Sequence, residues 1–409
     1  MSVIGLVLLW LAGSCAALAI AFRREIAAAW REPVLRAPVL ILESDDWGYG
    51  PSEQAQRLRR IAASLARFRD RLGRHPVMTL GVVLGGPDTE RIRAGGYRTY
   101  HRLTLADRRF DEVRNAMLDG VELGVFTLQL HGMEHFWPDT LMRIAAGDGA
   151  VRDWLSAPGF PATETLPSAL QSRWIDAAVL PSRPLAEDDI QAAAAAEASA
   201  FSEVFGARAE VVVPPTFVWS SVLEKAWART GIRVVVTPGR RCEGRDATGA
   251  PEPSGETYYN GQIGPDDVLY VVRDRYFEPS LGHTRDRAIE ALRSKTHVAR
   301  PALLEIHRMN FIGDEAQARG SLDEVEALLE SACAGFPDLR FMSAAELARH
   351  YRKRTEMVEA RLGPRIHFLL RRLAEVSRLR KLAGLSGAIV VAWIAYLFTR
   401  PQAGKAVPG

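Results

Sequence analysis

Between Pro38 and Tyr351, short apolar and β-branched runs alternate with amphipathic helical patterns, and this alternation limits the fold more than any other feature. Strands are expected near Val39–Glu43, Val77–Leu84, Val125–Leu130, Glu210–Val213, Ile232–Val236, Val268–Val272, Ala302–Ile306 and Leu339–Met342. Helices are expected over Glu53–Leu72, Leu185–Phe205 and Leu322–Ala334. Continuous apolar strands separated by helices form a parallel sheet covered on both faces. This many units in one stretch favour a single α/β domain of the (β/α)-barrel kind, with a doubly wound open sheet as the rival. No G-x-G-x-x-G or P-loop pattern follows any strand, so a nucleotide fold has no support. Phe136 to Pro184, rich in Pro, Trp and Ala, is too long for an ordinary loop and reads as an insertion near a site.

The two ends carry a different signal. Val3 to Phe22 is free of charge for 20 residues, enough for one membrane-spanning helix, and Leu382 to Phe398 adds 17 more. A signal peptide cleaved after Ala17-Leu18-Ala19 is the alternative for the first, although no Lys or Arg precedes it. Arg23, Arg24, Arg31 and Arg36 follow the first segment, and Arg371, Arg372, Arg378, Arg380 and Lys381 precede the second. Both asymmetries place the central domain on the cytoplasmic side of an inner membrane, with export as the alternative. Ile366, Leu369, Leu370, Leu373 and Val376 recur at helical spacing opposite arginines, the pattern of a basic helix lying on membrane lipid. The expected plan is a transmembrane helix over 1–22, the barrel over 38–351 with its insertion at 136–184, a basic amphipathic helix over 364–381, and a second transmembrane helix over 382–398. A net charge of +3 gives no reason to invoke nucleic acid, and three cysteines without a CxxC imply neither a disulfide framework nor a zinc finger.

The chemistry gathers at the ends of predicted strands. "LILESDDWG" places Asp45 and Asp46 side by side, an arrangement that demands nearby positive charge, because neighbouring carboxylates repel and desolvation penalises both. "HGMEH" supplies His131 and His135 at i and i+4, which would share one face of a helical turn and could hold one metal. "LLEIH" ends in His307. In a barrel these strand ends converge on one face. A dication held by Asp46, His131 and His135 would offset one carboxylate and leave Asp45 beside it as a proton acceptor. Two histidines and a carboxylate suit hydrolytic Zn²⁺, and they also match the ligand set of non-haem iron oxygenases.

The ordered set "ESDDWG", "HGMEH", "LLEIH", with the late "FPDLRFMSAAEL" segment, resembles the polysaccharide deacetylases of carbohydrate esterase family 4 over roughly Pro38 to Tyr351. The resemblance implies a distorted (β/α)7 barrel, a divalent metal on Asp46, His131 and His135, Asp45 as general base and His307 as general acid. Three departures stand out. Trp47 is inserted before Gly48, Arg308 follows the late histidine, and the arginine expected to position the base is missing from "VVVPPTFVW". Asp274, ending "VLYVVRD", could orient His307 or be a solvated loop charge, and Arg240 and Arg241 could meet a phosphate or be a solvated basic pair. Trp137, Trp154 and Trp174 could form a sugar platform or pack the insertion's own core.

The expected function is therefore metal-dependent removal of an N-acyl or O-acyl group from a sugar, on a lipid-linked saccharide or another cell-envelope glycan. The alternative is a catalytically silent, membrane-anchored glycan-binding module of the same fold, for which the missing arginine is the best argument.

Overall fold

In the computed structural model, which describes residues 2–400, the apolar runs assemble into one sheet. Its strands are β1 (Val39–Gly48), β2 (Met78–Val83), β3 (Phe126–Leu130), β4 (Val211–Val212), β5 (Val234–Thr237), β6 (Leu269–Val272), β7 (Arg275–Tyr276), β8 (Ala302–His307) and β9 (Arg340–Phe341). The order is β6-β5-β4-β3-β2-β1-β8-β7, with β9 on the start of β1, and every pairing is parallel. All eight expected strands form.

The sheet is rolled. In a flat sheet β6 would lie five strands from β1, about 24 Å at roughly 4.8 Å per strand. Yet Arg273, directly after β6, touches Asp45 on β1 at 2.6 Å. Closure falls to a single run, Leu269 to Tyr276. Its first half pairs with β5; after Arg273 and Asp274 its second half pairs with β8.

Alternation sorts the side chains into two layers. Outward residues such as Leu40, Leu42, Met78, Leu80, Val82, Leu304 and Ile306 pack under the surrounding helices. Inward residues begin apolar: Ile41, Val211, Val236, Val271 and Leu303 fill the lower barrel, plugged by Leu347 and Tyr351 of the helix Ala344–Lys353. Higher up the interior turns polar, with Thr79, Thr127, Gln129, Glu43 and Glu305 buried or nearly so.

Boundaries shift where side chains cap the backbone. The helix expected to reach Leu72 ends at Leu65, because the Asp70 carboxylate accepts from Leu72 N (2.8 Å) and Arg74 N (3.1 Å) and turns the chain. The helix expected from Leu322 begins at Glu315, capped by Asp314 on Gln317 N. The insertion holds the helices Pro138–Gly147 and Gly149–Ser156 over its own small core of Phe136, Leu141, Val151, Leu155 and Leu170. Trp174 is buried, and Trp137 and Trp154 are partly buried against neighbouring aromatic rings. An antiparallel hairpin, Arg240–Arg245 with Pro251–Thr257, was not expected.

The ends depart from expectation. The helix Val3–Ala21 is apolar (mean hydropathy 2.4) with no buried residue, long enough to cross a bilayer. The second expected span is instead two helices, Ser377–Ser386 and Ala388–Phe398, meeting at 107°. Gly387 adopts φ 78°, the left-handed conformation that ends helices, and the 11 residues beyond it cover about 16 Å, half a hydrocarbon core. The expected basic helix also divides, at Glu375–Val376, and its first part, Leu362–Ala374, docks on the domain. Arg372 is buried there and donates to the carbonyls of Ala29, Glu32, Pro33, Val298 and Ala299. An arginine so occupied has nothing left for lipid.

Gly120 lies in the helix Asp111–Glu122 against Phe126, which opens β3, and a Cβ there would collide with the ring. Gly→Ala within a helix ordinarily stabilises by about 1 kcal/mol. Here Gly120→Ala should destabilise by about 1–3 kcal/mol through overpacking, read as a lowered midpoint of thermal unfolding.

Candidate metal centre

Two adjacent residues of a regular strand face opposite sides of the sheet. In β1 they do not. Ser44 pairs with Leu80 and Trp47 with Val82, so Asp45 and Asp46 together oppose Gly81 alone, a β-bulge. Asp46 takes φ 73°, a conformation uncommon outside glycine and tolerated best by short polar side chains. A Cβ on Gly81 would collide with the Asp45 carboxylate, so the glycine makes room for it. The shift also accounts for Trp47: its indole turns outward into the core, stacks near Phe311, and donates from Nε1 to Ser44 Oγ at 2.8 Å.

His131 and His135 converge without the expected helical turn; the chain between them is irregular and the next helix starts at Pro138. Glu134 holds this turn, buried and paired with Arg102 and Arg173. His131 Nδ1 sits 2.9 Å from the Val213 carbonyl and His135 Nδ1 3.1 Å from the Gln171 carbonyl. Each Nδ1 therefore carries the proton, leaving both Nε2 atoms as bare acceptors. They face each other at 2.8 Å, with Asp46 Oδ1 at 3.5 Å from His131 Nε2 and 3.1 Å from His135 Nε2. Lone pairs so close repel unless a cation lies among them, and two imidazole nitrogens with one carboxylate oxygen are a donor set for Zn²⁺. The three residues fit a divalent ion. Burial alone would depress the His131 pKa, yet Asp45 and Asp46 raise it: the cavity attracts positive charge.

Beside this cluster the inner face forms a grid. Glu43, Glu305 and Tyr276 lie in register across β1, β8 and β7; Asp45 and His307 are in register one step above, with Glu278 beside His307. Arg273, 1% exposed, reaches three of these groups: Nη1 to Glu43 Oε2 at 2.9 Å, Nη2 to Asp45 Oδ2 at 2.6 Å and Nε to Glu305 Oε2 at 3.3 Å. Burial would raise the Asp45 pKa, but Arg273, then His131, hold it below the usual carboxylate range. Asp45 Oδ1 is left without a partner among the described residues. Burial does win at Glu43, pushed up to about 7 against the pull of Arg273. His307 Nδ1 lies 2.6 Å from Glu278 Oε1, and Asn310 steadies Glu278. Burial would lower the His307 pKa, but Glu278, Asp46 and Glu305 push it up to about 10, so the ring is protonated at neutral pH.

The structure thus brings Asp45, Asp46, His131, His135 and His307 together. Asp274 does not join them: it points away to Lys295 Nζ at 2.6 Å, and Glu278 takes the place beside His307. Arg241 is buried against Glu243, at 3.0 Å, and Glu256, at 2.6 Å, while Arg240 is exposed at the start of the hairpin, and neither joins the cluster. Arg273 and Glu278 escaped the sequence reading. A visible signal existed for Arg273: an arginine ending the apolar run "VLYVV" must find carboxylates, and Glu43 and Glu305 stand two residues before Asp45 and His307.

No protein-family model and no curated protein sequence matches the chain. Solved structures are similar at low identity. A peptidoglycan deacetylase from Bacillus subtilis is 11% identical, with 78% of this chain and 94% of that one covered and a TM-score of 0.36. A family 4 carbohydrate esterase from Streptomyces lividans is 10% identical, covering 75% and 92%, at 0.33. A 4-alpha-glucanotransferase from Thermococcus litoralis is 11% identical, covering 90% of this chain and 50% of that one, at 0.39. Several matched structures are thus deacetylases of the family that the sequence motifs resemble, and others act differently on glycans. The side chains of the site carry the functional argument.

Arg273→Met should leave three buried carboxylates without their cation and cost about 3–5 kcal/mol near neutral pH. Carboxyls whose folded pKa is raised take up protons on folding, so they stabilise the fold as pH falls from the folded toward the unfolded value. The variant's deficit should therefore shrink between pH 8 and pH 5, measured by urea unfolding at both. A deficit constant across that range would contradict the charge account.

Proposed function

We propose that this chain is a metal-dependent hydrolase that removes an N-acetyl, N-formyl or O-acyl group from a sugar of the cell envelope, carried on lipid or polymer. One observation carries the reading: Asp45, one oxygen held by Arg273 and the other unpartnered among the described residues, and His307, its Nδ1 on Glu278, flank the same His-His-Asp cluster. A bound divalent ion, Zn²⁺ by its donor set, would polarise the acyl oxygen and acidify the attacking water. Asp45 Oδ1 accepts the proton of that water, while Arg273 keeps the other carboxylate oxygen fixed. His307 gives a proton to the departing nitrogen, and Glu278 holds the ring in position and stabilises its charge. Acid and base are thus held in opposite protonation states by separate partners. The silent-module reading drew on the missing arginine; Arg273 at 2.6 Å from Asp45 weighs against it.

The test separates the roles. His135→Ala should bind less than about a fifth of one metal per chain by elemental analysis, since one of three ligands is gone. Asp45→Asn should keep its metal and lose turnover by about 10²-fold or more, because an amide cannot accept the proton. His307→Ala should keep its metal and lose far more rate on an N-acetyl sugar than on an activated aryl acetate, whose phenolate leaves without help. Equal losses on both substrates would remove His307 from the acid role, and stoichiometric metal in His135→Ala would remove the site.

The arginines after the first apolar helix support a domain facing the cytoplasm, anchored in the inner membrane and resting on its lipid. In a chain whose native cysteines are replaced by serine, a cysteine at Asp153 in the exposed part of the insertion should resist impermeant thiol reagents in intact cells and react once the membrane is broken. Labelling of intact cells would favour the exported alternative.

A further inference from the structure

The cover over the site is lopsided. On the metal side the insertion forms a roof: Gln171 holds His135, Ser172 Oγ meets Thr216 Oγ1 at 2.6 Å, and Glu164 meets Arg308. The side chains of Asp46, His131 and His135 are accordingly 9%, 4% and 9% exposed. On the other side, His307 rises to 29%. Beyond it lies β7, which continues the run after β6 has left β5 and has no partner on its far edge among the described residues. The site is therefore open where the sheet changes partners.

Tyr276 stands at that opening. It is in register with Glu305, so the two side chains share the inner face, and Glu278, two residues on, reaches His307 from the same side. The ring is 48% exposed. Burial, then the charge of Glu305, raise its phenol pKa, with Arg273 opposing. The tryptophans considered from sequence as sugar platforms are elsewhere: Trp174 is buried, Trp137 packs on Trp174, and Trp154 packs on Phe136. Apolar C–H faces of pyranose rings lie well on half-exposed aromatic rings whose hydroxyl can hydrogen-bond.

We propose that Tyr276 is the sugar-contacting platform of this site, a pyranose lying on its ring at the open edge of β7 with the acyl substituent directed between Asp45 and His307. The assignment rests on the deacylase reading and names the part of the substrate that the reading leaves open: the ring is gripped from the β7 side, not through the insertion. It predicts selectivity for acyl groups on pyranose rings over small acyl esters.

The experiment compares full-length, metal-loaded wild type with Tyr276→Ala, Tyr276→Phe and Tyr276→Trp on an N-acetylated chitooligosaccharide and on an aryl acetate with no sugar. Tyr276→Ala should raise KM for the saccharide about tenfold while leaving aryl acetate hydrolysis and metal content near wild type, and Phe and Trp should restore most of the loss. An unchanged KM, or equal losses on both substrates, would overturn the platform while leaving the hydrolase intact. If wild type hydrolysed no acylated sugar, the deacylase reading would fall, and binding would decide the platform. The same saccharide, titrated by intrinsic fluorescence, should then bind wild type and bind Tyr276→Ala about tenfold more weakly. Equal affinities, or no binding to either, would overturn it.

Discussion

One guanidinium holds the carboxylate side of the candidate site together. Arg273 sits among Glu43, Asp45 and Glu305 with almost no exposure, and without it three carboxylates would share a desolvated cavity. Its position follows from the roll of the sheet, which carries the end of β6 across the barrel to β1 and β8. Its effect is chemical as well as structural. By pinning one oxygen of Asp45 and favouring its charge, it leaves the other oxygen ionised, buried and unengaged, the state that a general base requires.

The metal side is built by a different device. A bulge opposite Gly81 turns two neighbouring aspartates toward one cavity, so Asp45 meets Arg273 while Asp46 faces the histidines. Two backbone carbonyls fix the histidine tautomers from behind. The segment "VVVPP" lacks an arginine but contributes the Val213 carbonyl that orients His131. An arginine from the end of β6 stands beside Asp45 instead, and the segment itself still lines the site.

The strands were legible because β-branched runs bounded by helical patterns allow little else, and the site was legible where its residues fall in short local motifs at strand ends. What was not legible depends on distance and on caps. Arg273 and Asp45 are 228 residues apart, and only the closed barrel makes them neighbours. Of the two readings open for Asp274, the one that orients His307 is lost to the face of the chain: its carboxylate turns out to Lys295 while Arg273 turns in. The hairpin at Arg240–Thr257 carries little apolar alternation and most of its second strand is exposed, so no pattern announced it. The C-terminal apolar run satisfied the length rule for a span, but Gly387 lies inside it, and at that left-handed residue the run bends by 107°. Arg372 belonged by composition to a lipid-facing helix and is spent on five carbonyls of the domain instead.

The run Leu269 to Tyr276, which begins on one edge of the sheet and ends on the other, has a dynamic meaning. In a barrel closed by full-length ladders, opening fluctuations are shared among all the strands. Here the ring is fastened by one clasp, two short ladders joined through Arg273 and Asp274. Short ladders open locally more readily than long ones, and this clasp carries Arg273, the partner of Asp45, on one side and Glu278, the partner of His307, on the other. Amide exchange along Val271 to Glu278 and loss of the Arg273 and Glu278 contacts would then report one event, because the run that clasps the ring also holds the partners of Asp45 and His307.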